Sequence, residues 1–268
     1  MKILIVSDLH YTLPQFDWVV AAGPSYDLVV IAGDLLDVGS LVDPETQIIV
    51  VLKYLRRLRA QTRVVVCSGN HDLDGTGANG EKQAVWMNAV KRLAIPADGD
   101  TLFVDDLMIT VCPWWDGPLT QKAIARQFAD ALKFRDGTWM WVYHAPPNNS
   151  PVSWSEVGHR YYGDAALNGW IAEYGPDLVI CGHVHDSPFT REGSWVDRIG
   201  QSWVFNAGRQ IGDVPTTIVI ETEAREAAWF SNEDAQSVSL DTPLSRPIAE
   251  LEAMPAWMPH ASLRSEAS

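Results

Sequence analysis

The sequence predicts an α/β protein whose buried strands deliver metal-capable side chains to one edge. Three observations carry that prediction. Short, continuous apolar runs rich in Val and Ile recur through the first 185 residues; helix-period stripes lie between them; and the runs repeatedly end in Asp, Asn or His. Apolar runs bounded by turn residues suit strands covered on both faces. Their alternation with helices argues for α/β architecture.

In chain order, the first strand is Ile3–Val6, running into Asp8-Leu9-His10. The second, Leu28–Ile31, ends in Gly33-Asp34-Leu35-Leu36-Asp37. Residues 45–60 form a helix, with Ile48, Val51, Leu52, Leu55 and Leu58 on one stripe and Arg56, Arg57 and Arg59 largely outside it. Val64–Cys67 leads to Gly69-Asn70-His71-Asp72, and residues 81–93 read as a second helix. Met108–Cys112 is followed by a helix over 119–134 carrying Ile124, Phe128, Ala131 and Leu132. Met140–Tyr143 ends at His144, and a helix over 164–174 groups Leu167, Trp170 and Ile171. Leu178–Cys181 then runs into Gly182-His183-Val184-His185. Beyond residue 194, Ser202–Phe205, Thr216–Ile220 and Ala227–Phe230 are strand-like with no long helix between them, so the sheets finish antiparallel. Residues 1–230 are read as one domain. Residues 231–268 lose periodicity and read as an extended tail, packed on the domain or partly disordered, with Trp257 favouring a docked contact.

Composition removes several function classes. No apolar run approaches the roughly 18 residues a spanning helix needs. The amino terminus turns polar too early for a secretory leader, so a cytoplasmic protein without a membrane partner is expected. Asp and Glu number 34 against 20 Lys and Arg, a net charge of -14. A field of that sign repels nucleic acid and anionic membranes, although bound cations could hold a small phosphorylated molecule. Cys67, Cys112 and Cys181 are widely spaced within apolar runs and read as reduced, buried thiols.

The position of the polar residues is the decisive feature, because ligands of open α/β sheets collect at the carboxyl ends of strands. Five of seven histidines (His10, His71, His144, His183 and His185) fall in strand-end clusters; His159 and His260 do not. Burying such a set uncompensated would be costly, and metal ions resolve the problem. Alternation would place both members of Asp8-x-His10, and of His183-x-His185, on one face if the backbone stays extended. Glycines before Asp34, Asn70 and His183 permit sharp turns and close approach. Imidazole, carboxylate and amide donors without thiolate suit Mn, Fe, Zn or Co rather than a closed structural zinc site.

This ordered set (Asp-x-His, Gly-Asp-x-x-Asp, Gly-Asn-His-Asp, a lone His, then Gly-His-x-His) resembles the signature of the calcineurin-like metallophosphoesterases. All five blocks occur, over residues 8–185, and they look closest to bacterial phosphodiesterase-like members. Protein phosphatases of the superfamily usually carry Arg-Gly after the second aspartate; here Val38-Gly39 follows Asp37. The resemblance implies a four-layer αββα sandwich of two mixed β-sheets flanked by helices. It implies two transition-metal ions, divalent or trivalent. Asp8, His10 and His185 would hold the first, Asn70, His144 and His183 the second, and Asp34 would bridge them. A metal-bridging hydroxide would then attack a phosphodiester in line. By the same resemblance His71 faces the leaving-group or a phosphate oxygen, with Asp37 orienting its ring. The competing reading of Asp37 is a turn-stabilising aspartate, and Asp72 is read as a loop or supporting carboxylate.

The loop 145–163 directly follows a proposed ligand, and loops of that length are often binding elements. Trp154, His159, Arg160, Tyr161 and Tyr162 could stack on a base or other leaving group, with Trp114 and Trp115 forming a second wall. The competing account is packing in a chain with 12 Trp. Arg209, in an Asn-x-Gly turn, could reach phosphate. The expected partner is a small phosphoester rather than extended nucleic acid. A phosphomonoesterase, a small nuclease and a non-catalytic metal-binding interaction scaffold are the alternatives; intact ligand and His71 positions argue against the scaffold.

Overall fold

A computed structural model describes residues 1–258. The chain begins with β1 (Lys2–Val6), α1 (Leu13–Ala22), β2 (Leu28–Ala32), α2 (Pro44–Arg59) and β3 (Arg63–Cys67). A small hairpin, β4 (Gly75–Thr76) with β5 (Lys82–Gln83), precedes α3 (Met87–Arg92). Next come β6 (Thr101–Val104), β7 (Leu107–Val111), α4 (Pro118–Leu132) and β8 (Thr138–Val142). A second hairpin, β9 (Trp154–Ser155) with β10 (Arg160–Tyr161), leads to α5 (Ala165–Tyr174) and β11 (Leu178–Cys181). The remainder is strand: β12 (Val196–Ile199), β13 (Ser202–Asn206), β14 (Thr217–Glu221), β15 (Glu226–Phe230), β16 (Ala235–Ser239) and β17 (Ala249–Glu250).

Two large mixed sheets result. One has the order β17-β16-β15-β14-β1-β2-β3, the other β12-β13-β11-β8-β7-β6. Strands β1, β2 and β3 run parallel, as do β7, β8, β11 and β13; β6, β12 and β14–β17 are antiparallel additions.

Period-two alternation sorts the strand side chains into layers. Ile3, Ile5, Leu28, Val30 and Val65 point inward against Ile109, Val111, Met140, Val142, Ile180 and Phe205, so the two sheets share a core. The alternate residues Leu4, Val6, Val29, Ile31, Val64 and Val66 meet Phe16, Val19, Val51, Leu55 and Leu58 of α1 and α2. On the far side Met108, Trp139, Trp141 and Val179 pack on Ile124 and Phe128 of α4 and Ile171 of α5. The expected four-layer sandwich is therefore the fold.

Helix α2 forms as its sequence dictates: Asp43 caps it by accepting from the Thr46 amide at 2.9 Å, Pro44 opens it, and its arginines stay exposed. The expected helix over 81–93 is corrected to the short α3. Lys82–Gln83 pairs as β5, and Glu81 accepts from the amides of Leu119 and Thr120 at 2.7 Å each, capping α4 from outside. Helix α1 and the edge strands β6 and β12 have no counterpart in the sequence reading. Beyond Phe230, β16 pairs with β15 and β17 with β16, and Trp257 packs on the first core. Residues 259–268 of the expected tail, His260 among them, lie outside the described residues. The three cysteines are free and buried, and burial pushes their thiols well up. Among the described residues no helix is long and apolar enough to cross a membrane.

Candidate metal centre

The parallel strands of both sheets point their carboxyl ends at one place. From one sheet, β1 leads to Asp8 and His10, β2 to Asp34, and β3 to Asn70 and His71; from the other, β8 leads to His144 and β11 to His183 and His185. The backbone leaves the strands sharply. Asp8 (φ 54°), His10 (φ 41°), Asp34 (φ 53°) and His183 (φ 71°) all occupy the left-handed region, which is costly for side-chain-bearing residues. Asp8-x-His10 and His183-x-His185 therefore converge through kinked turns, not through the extended alternation expected from sequence. Hydrogen bonds hold the kinks. The Asp8 amide donates to Gly33 O (3.1 Å), that of His10 to Asp34 O (3.0 Å), and that of His183 to both Asp8 carboxylate oxygens (3.1 Å each).

Two adjoining ligand groups emerge. In one, Asp8, His10 and His185 present donor atoms within 4.8 Å of one another; in the other, Asp34, His144 and His183 do the same. Asp34 also groups with His10 and His71, and its Oδ2 lies 3.7 Å from His10 Nε2 and 3.2 Å from His144 Nε2. Asn70 Oδ1 sits 2.9 Å from His183 Nδ1. His144 Nδ1 lies 2.6 Å from Ala32 O, so this nitrogen donates to the carbonyl and Nε2 faces the cluster. That Nε2 is buried and, among the described residues, has no aligned hydrogen-bond partner, only the facing Asp34 carboxylate. An imidazole nitrogen aimed inward at two buried carboxylates fits a cation, a proton in the metal-free protein or a metal ion in its place.

The electrostatics agree. Burial opposes ionisation of Asp8, yet His10, His185 and His144 hold its carboxyl well below the usual range. Burial opposes ionisation of Asp34 too, yet His144 and His10 together lower its carboxyl. Burial likewise opposes a charged His144, but Asp34 and Asp8 push it up to about 10. Burial, then His144, pulls His183 down to about 4, leaving a neutral ring able to coordinate. Burial also lowers His71.

Motif glycines act here by what they lack. A Cβ on Gly33, itself at φ +88°, would sit 2.4 Å from His144 Nδ1; one on Gly69 would sit 2.2 Å from Asp34 Oδ1 and 2.7 Å from the Asp34 backbone nitrogen. Gly33→Ala should therefore retain the fold but bind less metal, which elemental analysis of the folded variant would read. Full metal occupancy would show that His144 is not held where we place it.

Residues 1–187 match the sequence profile of the calcineurin-like phosphoesterases. The chain belongs to this family. Every motif block lies inside the matched segment, whereas Arg209 lies beyond it. No curated protein shows a significant sequence match. Among solved structures the calcineurin-like fold recurs in TT1561 of Thermus thermophilus, at 13% identity and TM-score 0.57, covering 89% of this chain and 98% of that one. A dimetal phosphatase from Danio rerio aligns at 9% identity and TM-score 0.56, covering 90% and 99%. Purple acid phosphatase PPD1 from yellow lupin aligns at 13% and 0.51, covering 90% of this chain but 52% of its own.

Supporting contacts of this candidate centre were partly hidden from sequence. Asp72, fully buried, accepts from the amides of Leu35, Leu36 and Gly69 at 2.8–3.3 Å, clasping the loop after β2 to the loop after β3. Burial and Asp34 push its carboxyl up to about 8 against those bonds. His71 Nδ1 receives the Val38 amide at 3.4 Å, while Asp37 accepts from the Gly39 amide at 2.8 Å and makes no hydrogen bond to His71. Asn206 is a buried node that its Asn-x-Gly turn does not announce: its Nδ2 donates to Val152 O, Val184 O and Ser187 Oγ, fixing the loop around His185.

Ser68, next to Gly69, donates to Asp98 Oδ2 at 2.6 Å and accepts from the Trp114 amide at 3.0 Å. Burial pushes Asp98 up to about 7. Its folded carboxyl therefore keeps a proton that the unfolded one releases near 4, so its contribution to stability falls as pH rises from about 4 to 7. In metal-free protein Asp98→Asn should lose less stability than wild type between roughly pH 4 and 7. Urea melts with parallel pH slopes would count against this assignment.

The aromatic candidates also come together. Trp114 packs 5.2 Å from the His183 ring and 5.7 Å from that of His144. Trp115 Nε1 donates to Tyr143 Oη (2.6 Å) and Asp164 Oδ2 (3.0 Å). With Tyr161 and His183 they line a cavity of about 640 Å³; Trp154 is not in its wall but braces Tyr161 edge-on at 5.1 Å. His159 lies apart, exposed and 3.6 Å from Glu156. The Arg209 amide donates to His185 O at 3.0 Å, and its buried Nε has no hydrogen-bond partner among the described residues.

Proposed function

We propose that the chain is a dinuclear metal-dependent phosphoesterase acting on small phosphodiesters. The observation that carries this reading is the pair of adjoining Asp/His groups with His71 against their shared edge. In this assignment Asp8, His10 and His185 would hold one ion and Asn70, His144 and His183 the other, with Asp34 serving both. When bound, two transition-metal ions (Mn, Fe or Zn) would supply an activated water and a clamp on phosphate oxygens.

The protein's own residues do the rest. The Val38 amide occupies His71 Nδ1, which leaves the proton of a neutral ring on Nε2. His71 can thus donate to the leaving-group oxygen as the ester bond breaks. Arg209, with an unsatisfied Nε beside the His185 loop, is assigned to a phosphate oxygen. Trp114, Trp115 and Tyr161 are assigned to the leaving group, with Trp154 bracing Tyr161 from behind. Asp37 supports the loop beside His71 through Gly39 and biases that ring electrostatically. Three buried free thiols accord with a reducing, cytoplasmic setting.

Small substrates are favoured over polymers because the net charge of -14 opposes approach of a polyanion. At matched phosphate concentration a nitrophenyl diester and a nucleoside cyclic phosphate should turn over faster than single-stranded DNA. Faster cleavage of DNA, increasing as salt is lowered, would instead assign a nuclease.

A further inference from the structure

We propose that the cavity beside His183 recognises phosphoesters bearing a nucleobase, with Gln121 and Tyr161 as its specificity-determining residues. The inference rests on the phosphoesterase reading and names the substrate class of the same site. A cavity of about 640 Å³ lies within the size range of small-molecule sites. It opens directly beside a metal-ligand candidate, so a ring held there would be attached close to the reacting phosphate.

Its walls suit a flat ring. The indoles of Trp114 and Trp115 line it together with Tyr161 and Tyr162. The wall is pre-organised: Tyr143 and Asp164 fix Trp115, and Trp154 braces Tyr161. The Arg160 guanidinium lies 4.2 Å over the Tyr162 ring. Aromatic stacking accepts any planar base face.

The polar groups decide against an aliphatic occupant. Gln121 lines the cavity, and its side-chain amide has no hydrogen-bond partner among the described residues. An amide offers one donor and one acceptor side by side, the complement of a nucleobase edge. Arg160 makes neither ion pair nor side-chain hydrogen bond among the described residues, which is notable in a chain of net charge -14. It favours an anionic ligand at the rim. A hydrocarbon would use the walls and leave the Gln121 amide without a hydrogen bond and Arg160, stacked on Tyr162, without an anion.

The test compares adenosine 5′-monophosphate with ribose 5-phosphate, which lacks the base, by calorimetry on Mn-loaded full-length protein. Wild type should bind the nucleotide about tenfold to a hundredfold more tightly, the usual return for one stacked base. Tyr161→Ala and Gln121→Ala should each shrink that ratio while retaining full metal content. Equal affinity for the two ligands, or a ratio that survives both substitutions, overturns the proposal. Hydrolysis of bis(4-nitrophenyl) phosphate on the same preparation separates the two readings. Hydrolysis with equal affinities removes the nucleobase pocket and keeps the phosphoesterase; a clear nucleotide preference without hydrolysis keeps the pocket and removes the phosphodiesterase reading.

Discussion

Asp34→Asn should emerge from metal reconstitution with fewer than two ions per chain and with phosphoesterase activity near background. Asp34 is central to the cluster: Oδ2 faces His144 and His10, and Oδ1 accepts the His71 amide at 2.8 Å. An amide of the same shape removes the negative charge that the two ions would share and turns an N–H group toward the imidazoles. Asn70→Ala removes one neutral donor and should cost less metal. Elemental analysis of both variants, folded by circular dichroism, gives the comparison. Two tightly held ions in Asp34→Asn would remove its bridging role.

His71→Ala should behave oppositely, retaining both ions while losing about 10²–10⁴-fold in turnover, the usual contribution of a positioned acid or base. Its ring contacts His10 edge-on, with centroids 4.4 Å apart, yet it belongs to neither of the donor groups assigned to the two ions. The loss should be smaller for nitrophenyl esters, whose leaving group departs without a proton. A variant that comes out stripped of metal, or a loss independent of leaving group, would reassign His71 to coordination or structure.

Most of the fold was legible because the buried strands are short and continuously apolar. Runs such as Leu28–Ile31, apolar throughout, short and bounded by turn residues, suit strands covered on both sides, and this one became β2. What periodicity could not distinguish was one sheet from two. Ile3 and Leu4 look alike in sequence yet face different cores, and only the family resemblance implied two layers. The helix over 81–93 failed because Glu81 serves α4 from a distance, a contact no local pattern encodes.

The metal-centre candidates were legible as strand-end motifs, but the way they converge was not. Asp8, His10 and His183 sit at positive φ, a conformation their residue types do not announce. Asp72 and Asn206 were equally opaque: their work is to bind backbone groups of loops remote in sequence. Gln121 carries no motif at all and becomes notable only as an unpartnered amide in an aromatic cavity.

The most direct test of the central claim is a titration of metal-free protein with Mn²⁺, following hydrolysis of bis(4-nitrophenyl) phosphate alongside bound metal. Activity should rise with occupancy and level off at two ions per chain. Full activity with one ion bound, or no hydrolysis with two bound, would contradict the dinuclear phosphoesterase assignment.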